Sequence, residues 1–532
     1  MKKSQIVLFL IICVSLLLIT GCQGRRTRVM GEPIEFTGYP MNAKDWTVSW
    51  FVGSGFMPSA VFASADESPF HIWIQEEIGV NIDWIVPLRG TEAQALNLLL
   101  ASRDFPDIIW GNTMPEAERL INEGVFRDLT PYMEKWAPNY WAWLQANPDY
   151  RRAVVTDSGR YFGFAMFRED GSWNGTYVGP IVNRNWLTEQ NLPIPRTISD
   201  WDRTLRVFHD VYGATMSFAW SRVTNCGSKI SGAWGAHTFS NYRLFVDRDR
   251  RVQLANVQPE FRNQLMYYNR WWNDGIMDQN VLTINDTMMR SNALNLRTGL
   301  TVTSMGQLTN WRTDAALWDT GADWVGIQYP TGDDGTLSHV SGGFGVVPIA
   351  AVITTAVPDE MLEVVMRVLD FGFSPEGILF WNFGRQGVSW DFNEDGQVDF
   401  LPLVTEDPNG LNDAVEFYSG TVWNGPSIQA TRLLHIKNIP EAIQANDIWF
   451  YPNEELATID KLPVGLTFTT AESIRLRELG AVETFVNEAT IQFITGRRSF
   501  DEWEDYVARV NALGAPEILA IHQTAYERWL AR

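Results

Sequence analysis

The chain has 532 residues, more than one compact unit usually holds, so two or more units are expected. Its formal net charge of −21 would repel a phosphate backbone and argues against nucleic acid as a partner. Aromatic residues make up 13% of the chain and include 24 Trp, a residue that is rarely fully buried and keeps an N–H to satisfy; with the acidity, this points to an uncharged, hydroxyl-rich ligand such as a sugar.

Lys2 and Lys3 precede an apolar run from Ile6 to Ile19. That run is shorter than the roughly 20 residues a bilayer span needs, but it suits the core of a signal peptide. It ends in Ile19-Thr20-Gly21-Cys22, which resembles a bacterial lipobox. The expectation is a lipoprotein signal over residues 1–21, cleaved to leave Cys22 as a lipid-bearing (palmitate) N-terminus; an ordinary signal with an incidental cysteine is the alternative. Cys13 lies in the removed segment and Cys22 is used by lipid, so Cys226 alone remains and no intramolecular disulfide can form. The rest of the chain has no second run of spanning length, which predicts a tethered protein facing the extracytoplasmic side, either periplasm or cell surface.

Residues 22–44 are polar and punctuated by Gly and Pro, and are expected to be a tether. "WTVSWFVG" then predicts a strand, "SPFHIWIQEEIG" a helix, "VNIDWIVPL" a strand, "TEAQALNLLLASRD" a helix and "PDIIWGN" a buried strand. Strands and helices alternating at this spacing predict βαβ units and a parallel sheet, whose ligands lie beyond the carboxyl ends of the strands. Thr197 and Asp200 form a capping box before an amphipathic run, and Ser499 and Glu502 form another. Trp503, Tyr506, Val507 and Val510 then fall on one helical face and are expected in the core. "VDRDRRV" predicts a hairpin tip.

Several segments, in order, resemble one family. They are "LNLLLASRDFPDIIWGN", "GVFRDLTPYMEKWAPNYWAWLQANPDYRRAVVTDSGRYFGFA", "VNRNWLTEQNLPIPRTISDWDRTLRVF", "FRNQLMYYNRWWNDGIMDQN", "FGFSPEGILFWNFGRQGVSWDFNEDGQVDF" and the stretch from "FVNEATIQFITGRRSF" to the final "YERW". Their order is similar to that of the extracellular solute-binding lipoproteins of carbohydrate ABC importers (family 1), in the LipO-like branch; Asn185 and Asn191 depart from the branch's usual Asp and Gly. The resemblance implies an α/β, two-lobed, periplasmic-binding-protein-like fold of type II, each lobe a sheet flanked by helices. It implies three inter-lobe crossings, near Tyr161 to Phe167, Val325 to Pro330 and Leu369 to Ser374. Lobe 1 would then hold residues 45–164 plus 328–371, and lobe 2 residues 165–327 plus 372–532. The implied function is capture of an oligosaccharide by lobe closure and delivery to ABC-transporter permease subunits, by a monomer and without catalysis.

A sugar site needs flat aromatics for the C–H faces and polar groups for the hydroxyl rim. Trp110 ends the "IIWGN" strand at the expected cleft edge, with Ser54 and Asn112 as partners on the same rim. The other lobe offers Trp220 and Arg222 in "SFAWSRV", Gln307 and Trp311 in "SMGQLTNWRTD", and Trp390 in "GRQGVSW". Trp234 and Trp423 are weaker candidates. "DFNEDGQVD" places Asp391, Asn393, Asp395, Gln397 and Asp399 at the spacing of an EF-hand-like calcium loop, with Pro402 where the bidentate Glu belongs. A plain β-turn at Glu394 to Gln397 is favoured over calcium. Rival readings are a peptide- or other solute-binding surface lipoprotein (a sensor or adhesin) and a secreted glycoside hydrolase. Against the latter, no catalytic motif appears, and the six histidines, at 71, 209, 237, 339, 435 and 522, are scattered with no metal spacing.

Overall fold

A computed structural model of the protein describes residues 30–53, 64–88, 91–111, 114–169, 177–218, 229–237, 243–340, 346–420, 425–453, 455–456 and 461–532. The strands described are, in chain order, β1 (Ala43–Phe51), β2 (Val80–Ile85), β3 (Ile108–Trp110), β4 (Gly163–Arg168), β5 (Val178–Asn183), β6 (Leu244–Val246), β7 (Val252–Leu254), β8 (Leu300–Ser304), β9 (Trp324–Gly326), β10 (Val346–Ile353), β11 (Trp390–Phe392), β12 (Val398–Phe400) and β13 (Ile428–Gln429).

The larger sheet runs β13-β4-β10-β3-β1-β2. β1 pairs parallel with β2 and β3 as the βαβ pattern predicts, while β10 enters antiparallel between β3 and β4. The helix Pro69–Ile78 that joins β1 to β2 starts on Pro and closes on left-handed Gly79. Both faces of β1 are covered toward its end, where Val48, Trp50, Phe51 and Val52 are all buried. Asp107 fixes the start of β3: its carboxylate accepts from the Ser49 amide (2.8 Å) and hydroxyl (2.7 Å), and its own amide donates to Ser49 Oγ.

The second core surrounds a three-stranded antiparallel sheet ordered β8-β5-β9. The helix Pro440–Phe450 lies close on this sheet because glycines face it. A Cβ at Gly179 would stand 2.3 Å from the Trp449 ring, and one at Gly326 2.4 Å from Ala445 Cβ. Trp449 Nε1 donates to Pro180 O at 3.0 Å, so the close approach also satisfies the indole. Trp201, Phe208, Trp271, Trp311, Val486 and Tyr506 complete this core from surrounding helices. Both capping boxes form, at Thr197 with Asp200 and at Ser499 with Glu502, and Trp503, Tyr506 and Val510 are buried. The "VDRDRRV" stretch turns the β6–β7 hairpin. Among the described residues, no helix is long and apolar enough to cross a membrane.

β4 stays in the larger sheet to Arg168, and β5 is the next strand of the smaller one. Tyr329 and Val340 still pack in the second core before β10 returns to the larger sheet. Phe373, Phe380, Trp381 and Ile428 belong to the first core, and β13 pairs with β4; Phe383, Trp390, Val398, Val404 and Val415 form a small cluster of their own, and Leu434, Ile439 and Ala442 pack on the second core. Helix periodicity around Leu369 to Ser374 marks an element end but not which core that element serves. The expected tether is also shorter than 22–44. Ile34, Phe36 and Tyr39 pack on the first core, and Tyr39 donates to Arg367 O at 2.7 Å.

The C-terminal helix Ala515–Leu530 and the residues after it bind the first core. Arg528 and Arg532 both grip Asp157, at 2.7 and 2.6 Å, and Arg528 also reaches Glu472 at 2.7 Å. Arg532 Nη1 donates to the carbonyls of Arg152, Val155 and Gly465. Gly465 sits so near the Ala153 carbonyl that a Cβ there would stand 2.1 Å from its oxygen.

Candidate functional site

Trp110 ends β3 at the carboxyl edge of the parallel strands, beside the residues that leave β1. Its ring lies across Gly53, where a Cβ would come within 2.5 Å of Cζ3, so glycine at that strand end is what lets the indole lie flat. The side chain is half-buried, the exposure a stacking platform needs. Ser54 and Asn112, expected on the same rim, lie outside the described residues, as do Trp220, Arg222, Trp423 and Cys22.

Other expected positions are placed differently. Trp311 is 1% exposed and packs edge-to-face on Trp324, with ring centroids 5.7 Å apart, so it serves the second core and offers no face to a ligand. Its segment forms the helix Met305–Leu317. Trp390 is 2% exposed; its indole donates to Gly384 O at 2.9 Å and its ring packs against Phe383. Gln307 stands half-buried in the first turn of the helix Met305–Leu317, its Oε1 accepting from Thr303 Oγ1 at 2.9 Å. Trp234 is half-buried against Tyr267 and Tyr268.

The "DFNEDGQVD" segment forms the β11–β12 hairpin, and the side chains of Asp391, Asn393 and Asp399 are bonded within it or to neighbours. Asn393 Oδ1 accepts the amides of Asp395 (3.0 Å) and Gln397 (2.9 Å), and Asn393 Nδ2 donates to Asp399 at 2.8 Å. Asp391 accepts from Gln386 at 3.0 Å. Arg432 binds the Asp399 carboxylate and donates through Nε to Val398 O at 2.9 Å. The cation at this hairpin is thus a guanidinium, and Pro402 offers no twelfth ligand, so the donor set does not fit calcium as it stands. Among the described residues, no group of three or more His, Cys, Asp or Glu could hold a metal.

A basic cluster that sequence reasoning missed sits at one end of the second core. His237 stacks between Phe245 (centroids 3.9 Å) and His339 (4.6 Å). His339 is fixed by Ser231 Oγ at Nε2 (3.0 Å) and Ser338 Oγ at Nδ1 (2.8 Å). Ser338 N donates to Gly232 O and Val340 N to Leu456 O, which draws Gly232, Ser338, Val340 and Leu456 together. Lys229, Arg243 and Lys461 stand around this pair, each half-buried. Burial, then the charge of Arg243, lowers Lys229 to about 8; burial, then Arg243 and Lys229, lowers Lys461 to about 7. Burial lowers His237 to about 4 and holds His339 well below the ordinary imidazole range, so both rings are neutral at pH 7. Two of these histidines were read from the sequence as scattered; only their adjacency in the fold gives them meaning.

No family model matches the chain. The fructooligosaccharide ABC transporter substrate-binding protein FusA of Streptococcus pneumoniae serotype 4 is 22% identical over 501 residues, covering 86% of each chain. Among solved structures, the alginate-binding protein AlgQ2, crystallised without calcium ion, superposes with a TM-score of 0.76 at 20% identity, over 90% of this chain and 98% of that one. FusA in complex with kestose gives 0.72 at 18% identity, over 91% and 99%. A human-milk-oligosaccharide-binding solute-binding protein associated with an ABC transporter, from Bifidobacterium longum infantis, gives 0.71 at 15%, over 91% and 99%. Each of these relatives is named as a binding protein, and none as an enzyme. The chain has their α/β fold over about nine-tenths of its length and resembles, in sequence and in structure, the solute-binding proteins of carbohydrate ABC transporters.

Proposed function

We propose that the protein captures an oligosaccharide outside the cytoplasm and delivers it to the permease of an ABC transporter. The two cores are the two lobes of a type II binding protein, and they close on the ligand about the chain crossings that join them. Ligand favours the closed form by the contacts it gains there. Lipid on Cys22 holds the monomer at the membrane surface, and no calcium is needed at the β11–β12 hairpin.

The observation that carries this reading is Trp110, half-buried and flat across Gly53 at the carboxyl ends of the parallel strands, in a fold shared with proteins crystallised on oligosaccharides. Ser54, Asn112, Trp220 and Arg222 would supply further rim and face contacts from neighbouring loops, and Gln307 a polar group from the second lobe. Calorimetric titration of the soluble form, starting after Cys22, with oligosaccharides of graded length and linkage tests it. One glycan class should bind without products forming. Trp110→Ala should weaken that binding by about 2- to 10-fold, the worth of one aromatic face. Unchanged affinity in this variant would remove Trp110 from the site.

A further inference from the structure

A cavity of about 400 Å³ opens on the first core, between the helix Pro148–Val154 and Arg532. Arg151, Arg152, Asp157, Tyr161 and Arg532 are among the residues that line it. That volume falls in the range of small-molecule sites. The cavity lies away from Trp110. β4 and β3 run the same way on either side of antiparallel β10, so Tyr161, just before β4, stands at the amino-terminal edge of the larger sheet, and Trp110 ends β3 at the carboxyl edge.

Two of the three arginines are held by neutral groups. Arg151 donates through Nε to the Tyr161 hydroxyl at 2.9 Å and through Nη1 to Gln145 Oε1 at 3.4 Å, and its guanidinium lies 5.8 Å from the centre of the Trp141 ring. The Arg152 guanidinium lies 5.2 Å from the centre of the Trp529 ring and, among the described residues, has neither a hydrogen-bond acceptor nor a carboxylate partner. Arg151 also meets no carboxylate among them. Arg532 differs, because Asp157 binds it at 2.6 Å. Three guanidiniums against one carboxylate leave two positive charges on the lining. Arg528, which also reaches Asp157, is balanced by Glu472 at 2.7 Å. Tyr161 adds a neutral donor. The residue is 4% exposed; its hydroxyl oxygen accepts from Arg151, and its own proton meets no acceptor among the described residues. A donor left without an acceptor in such a place costs free energy that a ligand oxygen would recover.

We propose that this cavity is a binding site for a small phosphate monoester, separate from the saccharide site, with Arg151, Arg152 and Tyr161 donating to the phosphate oxygens. A phosphate monoester carries close to two negative charges at pH 7, which matches the two unbalanced guanidiniums. Its tetrahedral oxygens suit donors that arrive from separate elements, here two arginines of one helix and a phenol ahead of β4. The volume beyond the phosphate admits a few carbon atoms and their hydroxyls. The chain's net charge of −21 disfavours anions at long range, but at 0.1 M salt that repulsion is screened beyond about 10 Å, and the ligand meets the local charge. The inference does not rest on oligosaccharide capture, and failure of either leaves the other standing.

Calorimetric titration of the purified protein with glycerol 3-phosphate, dimethyl phosphate and glycerol tests the proposal. Glycerol 3-phosphate should bind about tenfold or more tighter than the singly charged diester, glycerol should give only heat of dilution, and added salt should weaken the binding. Arg152→Gln should weaken it about tenfold and Tyr161→Phe about threefold. Tyr161→Phe keeps the ring in place, so its melting temperature should match that of the unaltered protein, and Arg151→Gln replaces Arg152→Gln if the latter fails to fold. Trp110→Ala should bind glycerol 3-phosphate as the unaltered protein does. Equal binding of the diester overturns the charge match. Silence of the folded protein toward glycerol 3-phosphate, or undiminished affinity in the arginine and tyrosine variants, overturns the site. Loss of binding in Trp110→Ala would put the ester at the saccharide site and overturn the proposal as well.

Discussion

At the scale of single residues, burial decides what a side chain can do. Asp370 is fully buried, and its carboxylate accepts from the Tyr140 amide (2.8 Å) and Asn139 Nδ2 (2.8 Å). Burial outweighs these bonds and pushes its pKa up to about 6. The folded protein therefore keeps a proton that the unfolded chain releases between about pH 4 and 6, and stability falls as pH rises through that window, by about 3 kcal/mol for this group. Asp370→Asn should flatten that part of the profile in denaturant titrations; an unchanged slope would place the titration elsewhere. The same logic separates the tryptophans. Trp110 adjoins Gly111, Trp390 comes three residues after Gly387 and Trp311 five after Gly306, and such spacing does not tell which ring is exposed. Trp110 is left half-open because Gly53 provides room beside it, whereas Trp311 and Trp390 are covered by elements far away in the chain. Sequence can name an aromatic beside a glycine, but its exposure is settled by residues it cannot yet locate.

At the scale of elements, the local rules were readable. The first three strands of the larger sheet, the capping boxes at Thr197 and Ser499 and the β6–β7 tip all follow from periodicity and cap chemistry. The β11–β12 hairpin shows where such reading stops, since its spacing matches a calcium loop through nine positions while its partner Arg432 comes from a separate helix, Thr431–Ile436. Adding calcium, or removing it with chelator, should leave the melting temperature unchanged. Asp391→Ala should also melt alike with and without calcium. A rise in melting temperature on calcium that is lost in that variant would show that the metal displaces Arg432.

At the scale of the whole molecule, pattern gives the class of fold but not the path of the chain. An α/β fold was legible, but the packing of Phe373, Phe380, Trp381 and Ile428 on the first core was not. Their membership is fixed by a two-residue strand, β13, whose pairing with β4 has no local signature. The basic cluster was illegible for the same reason, because its members span residues 229 to 461 and meet only after folding. The docking of the C-terminal helix is a third long-range feature. Asp157 holds two arginines whose side chains are 28% and 7% exposed, so Asp157→Ala strands partly buried positive charge and should destabilise the protein by about 3 kcal/mol in chemical unfolding.

That docking bears on how lobe motion could be watched. Arg532 is pinned to Arg152, Val155 and Asp157 of the first core although its helix also closes the second. A dye or spin label fused after Arg532 would travel with the first core. Paired with a probe elsewhere on that core, it would report a constant distance whether or not ligand is present. A ruler for closure needs its second mark on a residue remote from this anchor, such as the exposed end of the helix Met305–Leu317, beside Trp318.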